Sequence, residues 1–231
     1  MSRVDVDGFA ALVARRFVDG VNAARWSRTL PGDFDEVARL LVPDDGLVVV
    51  TPSMLQGLEL SAAGRVAADV MIDDWRRLEA LGREPVLNCI AGYERDTRGL
   101  PIATDVMSFH VDRAPVEVDT WLCTYAGAPS EGLDPADALR KIDAPGVRAA
   151  VLAAARDDAD FVGLGDDDLI EAGSFDLHHA PRAGAVPWSF GVHDLWKIAV
   201  QWPGSSVPAC VHRAPSTSTS NGDAPRLLLI C

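Results

Sequence analysis

The feature that most constrains this chain is the segment Ser108-Phe109-His110-Val111-Asp112, read with two distant partners, Val211-His212-Arg213 and Pro225-Arg226-Leu227. In an extended segment side chains alternate faces, so His110 and Asp112 project to one side and Val111 to the other. One imidazole and one carboxylate then converge on one point. A second imidazole, His212, lies 100 positions beyond Asp112. Two histidines and a carboxylate on one face of a metal leave positions open for substrate and dioxygen on iron(II). Arg226 follows His212 by 14 positions, and its permanently charged guanidinium suits a bidentate grip on the carboxylate of a dicarboxylate cosubstrate.

His-x-Asp, a distal His and an Arg about a dozen residues on, in that order, resembles the iron(II)/2-oxoglutarate-dependent oxygenases. The resemblance implies an α+β chain, mainly β with N-terminal helices, on a double-stranded β-helix of jelly-roll or cupin-like form. It implies iron(II) held by His110, Asp112 and His212, with 2-oxoglutarate as cosubstrate anchored by Arg226. Thr124 is the expected helper of Arg226. Arg213, next to the ligand histidine but pointing away from it in a strand, is the rival anchor, and Lys197 is another candidate. Tyr125, His193 and Trp196 are candidate substrate contacts, although tryptophans such as Trp196 and Trp202 serve more often in cores. His178 and His179 are adjacent, face opposite ways if extended, and do not readily share one metal.

A second resemblance spans nearly the whole chain, to an uncharacterised bacterial domain family. It rests on Ala24-Arg25-Trp26-Ser27-Arg28, the Phe109–Asp112 strand, Leu122-Cys123-Thr124-Tyr125-Ala126-Gly127, His212-Arg213-Ala214-Pro215 and the Arg226–Leu229 strand. Where that family carries glycine-proline-glycine-threonine-glutamate-tryptophan, this chain has Gly127-Ala128-Pro129-Ser130-Glu131-Gly132.

A chain of 231 residues that is 48% hydrophobic can bury a sizeable core, and a single domain over 1–231 is expected. The formal charge of −13 argues against nucleic acid or anionic membranes, which attract basic surfaces. The N-terminus lacks the pattern of a secretory signal, and no run of 18 apolar residues is present. Cys89, Cys123, Cys210 and Cys231 show no CxxC or paired spacing, which reads as free thiols in a reducing cytoplasm.

In chain order, apolar residues from Phe9 to Val21 recur at helical spacing within 4–26, predicting an amphipathic helix there. Asp33 is placed to cap a second helix through Val42, Leu47–Thr51 reads as a strand, and 61–81 as a long helix ended near Gly82. Residues 1–85 are thus expected to be mainly helical. Strands are expected at 85–93, 102–112, 116–126, 195–202, 209–213 and 226–231, with helices at 135–140 and 147–155 in an acidic insert at about 135–168. The aspartates of that insert lack the glycine and terminal glutamate of an EF-hand loop and read as a solvated surface. Segment 169–192 reads as loop-rich with short strands, and Ser216–Asp223 as an exposed loop.

The resulting expectation is an enzyme that hydroxylates, desaturates or cyclises a small molecule, such as an amino acid or a natural-product intermediate, while 2-oxoglutarate is decarboxylated. Two alternatives use the same ligands: a cupin-type metal-dependent hydrolase or isomerase that does not need Arg226, and a non-catalytic metal-binding protein. The oligomeric state is not legible in the sequence.

Overall fold

The computed structural model describes residues 2–43, 46–156, 158–215 and 225–231; the expected loop at Ser216–Asp223 lies outside them. The chain begins with β1 (Arg3–Asp5), a single short helix α1 (Phe9–Ala14) and β2 (Ala23–Trp26), which pairs in parallel with β1. The long helix expected across residues 4–26 is therefore corrected. Asp19 and Gly20 both adopt left-handed backbone (φ 55° and 78°), a turn that no α-helix passes through, and Ala23–Trp26 emerges extended.

The next elements follow the sequence pattern closely. Helix α2 (Phe34–Leu41) starts where Asp33 accepts a hydrogen bond from the Glu36 amide at 2.8 Å. After β3 (Leu47–Val50) and α3 (Pro52–Gly57), the Ser61 hydroxyl caps α4 (Ala62–Glu79), and the chain reverses at left-handed Gly82. The remaining elements are β4 (Val86–Ile90), β5 (Asp119–Ala126), β6 (Glu131–Leu133), β7 (Ala138–Arg140), α5 (Val147–Ala155), α6 (Asp166–Ala172), β8 (His179–Pro181), β9 (Trp188–Ser189), β10 (Leu195–Ala199), β11 (Val211–Arg213) and β12 (Arg226–Ile230).

The architecture is mixed α/β: six α-helices among the described residues, with a seven-stranded sheet in the order β1-β2-β10-β5-β12-β4-β3. Strands β11-β6-β9 form a smaller sheet, and β7-β8 a third. The N-terminal part thus supplies helices and also three strands of the large sheet. No helix among the described residues is long and apolar enough to cross a membrane.

The central strands of the large sheet are buried on both sides, and alternation divides most of their residues between the two faces. Leu87, Cys89, Trp121, Cys123, Leu227 and Leu229 face α2 and α4, packing on Phe34, Val37, Ala67 and Met71. Ile90, Leu122, Trp196, Ile198 and Leu228 face the other way and pack on Phe190, Cys210 and Trp188 around the small sheet. A third cluster, with Ile102, Ile142, Val151, Phe161, Leu169 and Phe175, is the separate core of the insert.

Two further expectations are corrected. Residues 102–112 are not a continuous strand, because Ile102 is drawn into the insert core and the chain becomes extended only around His110. There His110 bridges His212 on one side and His178 on the other, so this short stretch lies between β11 and the approach to β8. Residues 135–140 form a 3₁₀ turn followed by β7 rather than a helix, since β7 is claimed by pairing with β8.

Candidate metal centre and buried arginine

The ligand atoms of His110, Asp112 and His212 lie within 4.8 Å of one another, and among the described residues they are the one such group able to hold a metal ion. His110 Nε2 is 4.0 Å and His212 Nε2 3.8 Å from Asp112 Oδ1. The backbone sets this up. His110 and His212 exchange both amide–carbonyl bonds at 2.9 Å, and residues directly opposite in an antiparallel pair share a face, so the two rings stand side by side with centroids 4.6 Å apart.

Hydrogen bonds behind the three side chains aim them. His110 Nδ1 lies 2.8 Å from the Ser108 carbonyl and His212 Nδ1 3.2 Å from that of Cys210. A carbonyl can only accept, so Nδ1 carries the proton in both rings and Nε2 presents its lone pair toward Asp112. Thr120 Oγ1 donates to Asp112 Oδ2 at 2.7 Å, leaving Oδ1 toward the histidines. Burial and the neighbouring His212 push the His110 pKa down to about 4, which keeps the imidazole neutral. Burial opposes ionisation of Asp112, but His212, the Thr120 hydrogen bond and His110 outweigh it and hold its pKa below the usual carboxylate range. Two neutral imidazoles and one carboxylate are the protonation states in which these groups bind a metal.

Arg226 is 5% exposed, and no carboxylate lies within ion-pair distance of it among the described residues. Its Nη1 donates to Tyr93 Oη at 2.5 Å, and Nη2 to Thr124 Oγ1 at 3.0 Å and Ser130 Oγ at 2.7 Å. Among the described residues Nε is buried without a partner. Burial pushes the guanidinium pKa down, partly countered by Tyr93. On β12, Arg226 shares its face with Leu228 and Ile230, while Leu227 and Leu229 pack toward the helices, as period two predicts.

Strand β5 connects the two features. Thr120, Leu122 and Thr124 share one face; the first holds Asp112 and the third holds Arg226. A bulge where Leu227 and Leu228 pair with Ala126 and Thr124 keeps Thr124 inward while Tyr125 and Ala126 both face the helices. At Gly127 (φ 75°) the chain turns so closely over β12 that a Cβ would lie 2.9 Å from Arg226 Cα. At Gly132 a Cβ would meet the Trp188 ring at 2.2 Å, so the Trp188 indole fills the space a side chain at 132 would need.

The other expected contacts fall elsewhere. Arg213 pairs with Glu131 at 2.6–2.7 Å over the Phe109 ring, on the side away from His212. Lys197 meets Asp119 at 3.2 Å and the Arg15 carbonyl at 2.7 Å, so it is already engaged. Tyr125 points to the helix side, where its hydroxyl donates to Asp74 at 2.8 Å. His193, with φ 74°, packs on Phe34 and donates from Nε2 to the Tyr125 carbonyl at 3.1 Å. Trp196 is 3% exposed between the sheets and bonds the Phe190 carbonyl at 2.6 Å, a core role. Tyr125, His193 and Trp196 as substrate contacts and Arg213 as anchor are therefore not placed with the triad. Sequence reading missed Tyr93, Ser130 and Thr120; only Thr120 carried a signal, being two and four residues before inward-facing positions on β5.

No family model, curated protein or solved structure matches this chain.

Proposed function

We propose that the chain is an iron(II)/2-oxoglutarate-dependent oxygenase acting on a small molecule, with the two facing sheets as a double-stranded β-helix. The observation that carries this reading is the pairing of a two-histidine, one-carboxylate group with a buried, carboxylate-free arginine along one face of β5. The residues fit the implied groups. The donor set of two nitrogens and one oxygen suits iron(II) with open positions, and a buried guanidinium with an unpartnered Nε is completed by a carboxylate.

His110 Nε2, His212 Nε2 and Asp112 Oδ1 would hold the metal. Arg226, steadied by Tyr93, Thr124 and Ser130, would bind the distal carboxylate of 2-oxoglutarate. Bound together, metal and cosubstrate would activate dioxygen, the oxidant: one oxygen atom would end in succinate as 2-oxoglutarate loses carbon dioxide, and the other would serve the oxidation of an unactivated C–H bond of the substrate. The protein's part is orientation: Ser108 and Cys210 carbonyls lock the tautomers, and Thr120 fixes Asp112.

The test is incubation with iron(II), ascorbate and 2-oxoglutarate under air, following succinate. Slow succinate release even without substrate, absent in His212→Ala, is expected. No succinate from metal-loaded protein favours a hydrolase, an isomerase or a metal-binding role.

A further inference from the structure

Of the six tryptophans, five pack into an apolar core: Trp26, Trp75 and Trp121 on the helix side of the large sheet, Trp188 and Trp196 between the sheets. Trp202 differs. It is half-buried, belongs to no apolar core among the described residues, and has no aromatic ring or cation stacked on it there. Instead it lines a cleft of about 590 Å³ with Pro115, Pro203, Arg113 and Glu171. The backbone ties this indole to the candidate metal centre. The Gln201 amide donates to the Asp112 carbonyl at 2.8 Å, and the Gln201 carbonyl accepts from Ala114 at 2.9 Å, so Trp202 follows directly on the residue paired with the segment that carries Asp112.

Arg113 is served by two carboxylates. Asp176, with a side chain 17% exposed, accepts from its Nη2, while Glu171 on α6 meets Nη1 at 3.4 Å with a side chain 71% exposed. One guanidinium neutralises one carboxylate, and an exposed pair contributes little. Glu171 is therefore the acid left over. Arg113 and Glu171 also line the cleft of about 700 Å³ that reaches His110 and Asp112, so the two clefts adjoin at this pair. A spare carboxylate and an open indole face in one cleft suit an organic ammonium, the first by charge and the second by the negative face of the ring. A neutral group gains neither, and an anion is repelled by Glu171. The adjoining clefts have room for a molecule longer than a bare ammonium ion.

We propose that Glu171 and Trp202 form a recognition site for the ammonium end of an elongated amine, whose other end extends through the adjoining cleft toward His110 and Asp112. Glu171 sets the charge of the ligand, and Trp202 gives its cationic end a face to rest on. The ammonium site stands on the clefts themselves; that its occupant is the molecule to be oxidised rests on the oxygenase reading above.

The full chain without added metal is titrated with hexylammonium and with hexanol, a neutral analogue of similar length, by saturation-transfer NMR. Hexylammonium should bind more tightly. Glu171→Gln, a change at an exposed side chain, should weaken hexylammonium by about fivefold and leave hexanol unchanged. Trp202→Leu keeps an apolar wall and should also weaken hexylammonium by about fivefold relative to hexanol. Equal affinity for the two probes, or a preference for hexylammonium that survives Glu171→Gln, overturns the proposal; a parallel loss of both probes in Trp202→Leu overturns the part given to the indole. Manganese(II) is then added and its stoichiometry counted. With one manganese bound, the methyl protons of hexylammonium should relax faster than the methylene beside its nitrogen. Uniform or absent relaxation overturns the orientation toward the candidate metal centre. Failure to bind manganese overturns the metal reading, while the metal-free titration still decides the ammonium site.

Discussion

At the scale of single residues, the buried cation at 226 is the most informative. A guanidinium in apolar company is unfavourable unless an anion meets it, and here three hydroxyls stand in the places nearest to it. Arg226→Ala should leave iron affinity nearly unchanged and weaken 2-oxoglutarate by about 3 kcal/mol or more in anaerobic calorimetry. Arg226→Lys should recover only part, because a point charge does not reproduce the planar fork. The histidines give a pH signature in the metal-free protein. His110 and His178 both have folded pKa values of about 4 against about 6.5 in the unfolded chain, so between these limits the unfolded state binds more protons. Their contribution to stability is complete above pH 6.5 and is lost as pH falls toward 4. The melting temperature should fall across that window, and less steeply in His178→Leu; an identical slope in the variant would contradict the assignment for His178.

Among the elements, α4 and β5 are tied by one buried carboxylate. Asp74 is 2% exposed and takes Arg28 Nη1 on both oxygens at 2.7–2.8 Å, with the Tyr125 hydroxyl on Oδ2. Arg28 also donates to the His193 carbonyl at 2.9 Å, which links the segment after β2, α4, β5 and the turn before β10. Removing Asp74 leaves Arg28 buried and unpaired. Asp74→Ala should therefore cost roughly 3–5 kcal/mol in urea unfolding, while one metal per chain still binds at a site on the other face of β5. The site was legible where local alternation governs it: the inward face of β5, the Arg226 face of β12 and the His110–Asp112 pair all follow period two. Asp74 was not singled out in the sequence, although it falls at helical spacing in the buried stripe of Ala67, Met71 and Leu78. What escaped reading is tertiary in origin. Ile102 joins the insert core instead of a strand, and the Asp19-Gly20 turn sends Ala23–Trp26 into the sheet. Tyr93 and Ser130 reach Arg226 from segments whose sequence carries no periodic signal.

Over the whole molecule, one sheet separates the large apolar core from the candidate site. The helix side holds the large apolar core and the Arg28–Asp74–Tyr125 network, and the opposite side holds the triad and Arg226. The candidate ligands come from chain segments 100 residues apart, so the group exists only when the His110 stretch pairs with β11. The central claim is that metal and arginine serve one dicarboxylate. Its most direct measurement is an anaerobic titration of iron(II)-loaded protein with 2-oxoglutarate, following the weak visible metal-to-ligand charge-transfer absorption. The band should develop in the wild type, require much higher 2-oxoglutarate in Arg226→Ala, and be absent in His110→Ala and His212→Ala. A wild type that binds iron but develops no band, or a band in Arg226→Ala at the wild-type concentration, would contradict the shared site.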